Sequence, residues 1–279
     1  MMLPRLIDIA SRNVDSYFER YERKTDEEKR KVTELHNSMS VCVNMEIDTL
    51  HRLFVSHYKN RFEICAEHLG MSLDEFCRLP IAQQTEYVCA HMRSEYHYYG
   101  IRRVDFSNRY DQGLQMYYLA VNMGISAGNS KYGRCCVTVS SFSTPTDVML
   151  KYDSLKHYYD DDNEFDDNAF HKDLIPNNHA ELMLADKFSD QLAICNVEEI
   201  KQSIENDPDP IEIITTTKIS GVSISTVVMS SGEYRHIVIE LNRKKALGEI
   251  LELIEEEDLQ NFMRLQMELR RRRIILRIV

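Results

Sequence analysis

His179 and Glu181 form the one local pattern in this sequence whose residue types and spacing could do chemistry. They open an apolar segment that ends at Phe188 and is typical of a helix, and Asn178 is a good N-cap residue. An imidazole and a carboxylate two residues apart at a helix start lie on the rim of one cavity. Other catalytic motifs are missing, because the sequence has no GxxxxGK(S/T), GxGxxG, HExxH or GxSxG.

A His-x-Glu that opens an apolar helix resembles the zinc-dependent cytidine deaminases, especially the nucleic-acid-editing AID/APOBEC kind. The surrounding elements follow a similar order, since a β-rich stretch (134–142) precedes the motif and another (211–217) follows it. The resemblance covers about residues 130–245. It implies that His179 would bind zinc and that Glu181 would shuttle protons between the zinc-bound water and the base.

The second half of the deaminase signature, Ser/Thr-Pro-Cys-x-x-Cys, is not present in this sequence. Ser220-Gly-Val-Ser-Ile-Ser225 stands in its place, with Val222 and Ser225 where the family has two thiolate ligands. A single imidazole does not suffice, because catalytic zinc requires three protein ligands.

We therefore expect a catalytically degenerate, deaminase-like protein that serves as a binding or assembly module. If it is active, a thiol such as Cys195 or Cys135 must replace the missing ligands, with His179 as the remaining one. The alternative interpretation of His179 and Glu181 is an ordinary helix N-terminus, where a carboxylate complements the helix dipole.

A second resemblance is to the mono-ADP-ribosyltransferases. The segment Tyr96-His-Tyr-Tyr-Gly-Ile-Arg-Arg103, a helix around Tyr117 and then Glu181 follow the His-Tyr-Glu order of that fold. The resemblance implies that His97 and Tyr117 would hold the nicotinamide nucleotide of NAD and that Glu181 would orient its ribose hydroxyl. This alternative requires Glu181 on a strand, whereas the deaminase hypothesis places it on a helix.

The C-terminal segment carries the basic cluster Arg270-Arg-Arg-Arg273 (Arg270, Arg271, Arg272 and Arg273) and, about four helical turns earlier, the acidic run Glu255-Glu-Glu-Asp258. This charge segregation favours antiparallel pairing, so we expect a protein partner or a homo-oligomer through a C-terminal helix. Nucleic acid is the alternative partner, since each arginine could contact a phosphate. A third class is a protein-interaction subunit without enzymatic ancestry.

The pattern of apolar and polar residues along the sequence predicts an α+β fold in three regions. We expect a helical N-terminal region (1–95), a mixed α/β deaminase-like domain flanked by helices (96–245) and a C-terminal amphipathic helix (246–279). Within the middle region the sequence predicts helices and strands. The helices are expected around 114–120 and at 179–188, and the strands at 134–142, 211–217, 222–229 and 234–241.

Composition excludes several classes of protein. With 279 residues, 43% hydrophobic, the chain can bury a sizeable core. Seven cysteines without any C-x-x-C pair argue against a disulfide framework or a four-cysteine zinc module. Without a long apolar run or a signal-peptide pattern, we expect an intracellular protein, cytoplasmic or nuclear, with no membrane contact. The net charge of −11 arises within 151–210, which holds 5 basic and 16 acidic residues, so a polyanion could still bind elsewhere.

Overall fold

A computed structural model describes residues 4–91, 97–110, 116–124, 133–139 and 147–279. Helices and one eight-stranded mixed sheet make up these residues, so the α+β fold class expected from the sequence is confirmed. The strands are β1 (Ser40–Met45), β2 (Tyr117–Asn122), β3 (Cys135–Val139), β4 (Val148–Leu150), β5 (Leu174–Pro176), β6 (Glu212–Thr215), β7 (Ile224–Met229) and β8 (Ile275–Ile278).

Most helices are short, and several begin at a capping box in which the N-cap side chain and the N3 glutamate bond reciprocally. A π-helical segment (Arg235–Glu240) joins two of them. The α-helices are α1 (Pro4–Glu22), α2 (Asp26–Ser38), α3 (Ile47–Leu53), α4 (Arg61–His68), α5 (Leu73–Cys77), α6 (Ile81–Ala90), α7 (His97–Tyr110), α8 (Asp167–Lys172), α9 (Ala180–Lys187), α10 (Ser189–Ile194), α11 (Val197–Glu205), α12 (Ser231–Tyr234), α13 (Leu241–Ala246) and α14 (Leu253–Arg272).

The sheet has the strand order β5-β4-β6-β2-β1-β3-β7-β8, and every neighbouring pair is antiparallel except β7 and β8. β1 lies in its interior, where Val41 pairs with Val121 on one side and Val139 on the other. The expected helical region 1–95 therefore contains a central strand. Its alternation of buried Val41, Val43 and Met45 is short and has no Gly or Pro beside it, so helical periodicity dominates the surrounding sequence.

The main core lies on one face of the sheet. Strand residues such as Val43 and Val137 pack there against buried side chains of the flanking helices, including Leu35, Leu184 and Phe262. A second cluster lies on the opposite face of β4 and β6, where α1, α7 and α8 contribute residues that include Leu6, Phe106 and Phe170. Both faces of the sheet are thus covered by helices at this end.

Two expectations for secondary structure are wrong. The segment around Tyr117 is strand β2, not a helix, and residues 111–115 lie outside the described part. Residues 234–241 are helical, not a strand. The Ser230 Oγ caps this segment by accepting a hydrogen bond from the Glu233 amide, and Ile237 and Leu241, four residues apart, are both fully buried. A short run of β-branched residues is compatible with both the two-residue period of a strand and the 3.6-residue period of a helix. Here the segment is helical because that conformation buries Ile237 and Leu241 on one face.

The other expected elements are confirmed: α9 falls within 179–188, and β3, β6 and β7 fall within the remaining predicted strands, of which 140–142 lie outside the described residues. The expected C-terminal helix (246–279) is shorter than predicted, because α14 begins only at Leu253 and ends at Arg272. Arg273 then reverses the chain with a left-handed backbone, φ 58°. β8 then runs parallel to β7, with Leu276 opposite Val227. At the other edge of the sheet, β5 is buried, ends in Pro176 and is covered by α1.

Candidate functional site

His179 and Glu181 lie at the start of α9, as the sequence predicted. His179 ends a 3₁₀ turn (Asn177–His179) and is half-buried, whereas Glu181 sits in the first turn of α9 and is exposed. Glu181 lies close enough to α1 to act on Tyr21, whose pKa is raised by burial first and by the Glu181 carboxylate second. This is the geometry of a carboxylate at an ordinary helix N-terminus.

A cleft beside α9 offers no soft metal ligands among its lining residues. It lies between α1 and α9, has a volume of about 180 Å³ and is lined by residues that include Tyr21, Lys24 and Leu182. Its one lining carboxylate is already paired, since Arg20 contacts Asp186 at 2.8 Å. The cleft therefore has the character of a helix–helix junction rather than of a zinc pocket.

The thiols that could replace the missing zinc ligands do not join His179. Cys135 is fully buried in β3, and burial raises the pKa of its thiol to about 12, which disfavours the thiolate that zinc requires. Cys195 follows α10 and packs against the main core. Among the residues that the structure describes, no three His, Cys, Asp or Glu side chains form a group that could hold a metal ion. These residues do not fit a zinc centre at His179.

The residues of the NAD alternative are also placed differently from what that fold requires. Glu181 lies on a helix rather than a strand, and His97 is the exposed first residue of α7. Tyr117 is buried in β2, and its hydroxyl donates a hydrogen bond to Glu63 Oε2 at 3.0 Å. That carboxylate is further held by His57, whose Nε2 lies 2.9 Å from Oε1. Tyr117 is therefore part of an internal polar network.

A pair of carboxyl groups that the sequence did not single out lies between β4 and β6. Glu212 begins β6 and accepts a hydrogen bond from the Ser154 amide at 3.0 Å. Burial, and after it the neighbouring Asp153 carboxyl, raises the pKa of Glu212 to about 8. Burial raises the pKa of Asp153 as well. The two residues stand 59 positions apart, so no local pattern could have revealed them.

Hydrogen bonds tie this carboxyl pair to the loop before β6. Asp209 accepts from the Asp153 amide at 2.6 Å, and its other oxygen lies 2.7 Å from His157 Nδ1. Lys187 contacts Asp207 at 2.8 Å and donates to the Asp209 carbonyl. The network joins the turn after β4 to the loop before β6, which is a structural task, although paired carboxyls with raised pKa values can also exchange protons.

The arginine cluster of the C-terminal segment divides into bound and free side chains. Arg272 donates to the Phe54 carbonyl and contacts Glu268, so it fastens α14 to the end of α3. Arg270 and Arg273 are exposed, and Arg271 is exposed with one contact to Glu268 at 3.5 Å. Only three of the four predicted contact residues therefore face solvent.

The acidic run divides in the same way. Glu255 pairs with Lys244 of α13, and Asp258 receives both terminal nitrogens of Arg134 at 2.6 Å each. Glu256 and Glu257 are exposed. Glu255 and Asp258 thus fix α14 to the rest of the protein, whereas Glu256 and Glu257 are available on its surface.

An apolar surface precedes α14. Gly248 follows the end of α13 with φ +73°, a left-handed conformation that favours glycine, and its amide donates to the Lys245 carbonyl. Four large apolar side chains between α13 and the first turn of α14 are exposed, Ile250 by 97%. We call them the apolar segment: Leu247, Ile250, Leu253 and Ile254. A concentration of exposed aliphatic side chains is typical of a contact surface.

The comparisons with known proteins do not assign this chain to a family. Neither the models of known protein families nor the curated proteins include a match to this chain. Within the described ranges, no helix has the length and apolar character needed to cross a membrane.

Proposed function

We propose that this protein is a binding or assembly module that contacts a protein partner through its C-terminal surface. The observation that carries the proposal is the apolar segment, whose four aliphatic side chains are exposed next to a charged helix. Burying apolar surface contributes about 25 cal/mol per Å², so covering these side chains would favour association. Free charges at both ends of α14 would select the partner's orientation.

The same proposal treats His179 and Glu181 as structural. Support comes from the exposure of Glu181, the burial of Cys135 and the replacement of the expected thiolates by Val222 and Ser225. A degenerate deaminase ancestry remains a hypothesis that rests on the His-x-Glu motif and on the order of the neighbouring elements. The NAD alternative rests on the order of His97, Tyr117 and Glu181 alone.

Substitution of the apolar segment tests the proposal. We expect the double variant Ile250→Asp, Leu253→Glu to keep the thermal stability of the wild type, because both side chains are exposed in the folded chain. It should lose the proteins that cross-link to and co-purify with the full-length wild type. Ile194→Glu is the matched control, since Ile194 is 84% exposed on α10, outside this surface.

Three outcomes would contradict the proposal. Unchanged partner retention in the double variant would exclude the apolar segment as the contact. A deaminating or NAD-consuming activity that is present in the wild type and lost in Glu181→Gln would show an enzyme. Retention that falls steeply with salt and disappears after nuclease treatment would instead indicate nucleic acid bound by the arginines.

A further inference from the structure

The outer side of α14 carries a stripe of exposed residues at four- and three-residue spacing. We call this the outer stripe: Glu256, Gln260, Met263, Met267 and Arg271. The opposite side of the same helix is buried in the main core through Leu259, Phe262, Leu265 and Leu269. Because residues three and four apart share one face of a helix, the outer stripe forms a continuous surface.

Two features make this stripe unlike an ordinary solvated helix face. Its centre is apolar, since Met263 and Met267 are both exposed, the latter by 72%. Its ends are oppositely charged, with Glu256 near the start of α14 and Arg271 near its end, about 22 Å apart along the axis. Their neighbours Glu255 and Arg272 are bound within the chain. Glu256 faces solvent, and Arg271 is 76% exposed with a single contact to Glu268 at 3.5 Å, so its guanidinium can still reach a second carboxylate.

We infer that the partner of this stripe is a second copy of the same chain, whose α14 packs antiparallel across it. The inference rests on the proposed function and names its partner. In a two-fold symmetric contact the same surface of both copies meets, so a group at one end of the surface faces the group at the other end of the partner's surface. In the outer stripe this rotation brings the acidic end of each copy to the basic end of the other.

The register follows from the residue numbers. With the two-fold axis between positions 263 and 264, Glu256 meets the partner's Arg271, and Gln260 meets the partner's Met267. Both copies contribute the same pairs, so one dimer contains two Glu–Arg contacts, the two Met263 side chains near the axis and each Met267 beside the partner's Gln260. A parallel arrangement would place like charges together at each end, which disfavours it.

Methionine suits such a contact because its flexible thioether side chain fills irregular gaps. The surface is small, and interfaces below about 1,200 Å² are typical of weak association. The dimer should therefore dissociate on dilution, with the two ion pairs fixing orientation and the methionines supplying most of the affinity.

Charge reversal at the two ends of the stripe tests the register. In sedimentation equilibrium at low salt, Glu256→Arg and Arg271→Glu should each weaken the dimer of the full chain about ten-fold or more, because each creates two like-charge contacts. An equimolar mixture of these two variants should recover wild-type association, since the mixed dimer contains two opposite-charge contacts. Glu19→Arg and Arg12→Glu are matched controls, because they change the net charge equally at exposed positions of α1.

Each other outcome overturns the inference. A wild type that stays monomeric at about 100 µM would exclude a second copy at the level of weak interfaces. Single variants that dimerise like the wild type, or a mixture that does not recover, would exclude this register. If the stripe instead binds nucleic acid, Glu256→Arg should strengthen binding in a shift assay while Arg271→Glu weakens it, whereas a dimer loses affinity with either change.

Failure of the inference can be told apart from failure of the proposed function. A monomeric wild type whose retained partners are lost in Ile250→Asp, Leu253→Glu would still be a binding module. Its partner would then contact the apolar segment and would not be a second copy on the outer stripe.

Discussion

At the scale of single residues, the protonation of Glu212 bears on the stability of the fold. Its carboxyl is influenced by that of Asp153, with Arg103 as the nearby cation and Asp209 as a further anion beside Asp153. In the unfolded chain Glu212 loses its proton near its ordinary pKa, whereas in the folded protein it keeps the proton to about pH 8. The folded state therefore binds more protons between these limits, and its stability falls as the pH rises through this window.

Replacing Glu212 with a neutral isostere should remove this dependence. We expect Glu212→Gln to raise the melting temperature at pH 8 by several degrees, about 2–4 °C for each kcal/mol gained, and to leave it nearly unchanged at pH 4.5. The glutamine oxygen can still accept from the Ser154 amide. Melting curves of the wild type, Glu212→Gln and the exposed control Glu198→Gln across this pH range would measure the effect. Parallel curves for the wild type and Glu212→Gln would show that the buried carboxyl is not the source of the slope.

At the scale of elements, the sequence predicted those with an unambiguous period. The apolar run after Asn178 forms α9, although the N-cap of this helix is His179, without a side-chain cap bond, and not the expected Asn178. β1 was missed because a six-residue strand between helices leaves too short a period, and residues 234–241 were misassigned because β-branched residues can bury a helical face. Whether such a short segment forms a helix or a strand depends on tertiary packing, about which the local sequence pattern carries no information.

The C-terminal surface was predictable in part. Its acidic and basic runs are visible in the sequence, and both lie on α14. The sequence could not show which of these charges stay free, because Glu255 and Asp258 form ion pairs with Lys244 and Arg134, which lie outside α14. The carboxyl pair between β4 and β6 was missed for the same reason, since only the strand pairing brings it together.

The two faces of α14 should differ sharply in their effect on stability. We expect Phe262→Ala to lower the free energy of unfolding by about 3–5 kcal/mol, because it leaves a cavity in the main core beside Tyr234. Met263→Ala, at the next position but on the outer stripe, should change it by less than about 0.5 kcal/mol. Urea denaturation of both variants measures the difference. Equal losses would mean that α14 is rotated from the orientation described. Point variants are needed here because deleting α14 would remove its buried core residues together with the outer stripe.

At the scale of the whole molecule, the arrangement of ligand-type residues bears on metal content. We expect the purified protein to carry no stoichiometric zinc, because His179 is not joined by thiolates and the Cys135 thiol is held protonated by burial. Elemental analysis after purification without chelators measures this. A content near one zinc per chain would contradict it and would identify Cys135, Cys136 or Cys195 as ligands.

The position of β8 has a consequence for how the chain is made. β7 pairs with β3 on one side and with β8 on the other, and β8 follows all of α14 in sequence. During synthesis the ribosome must therefore release residues 275–278 before that edge of the sheet is closed. A nascent chain that stops within α14 would present an open strand edge beside unburied leucines, a combination that promotes aggregation. Termination of synthesis within α14 should thus promote aggregation.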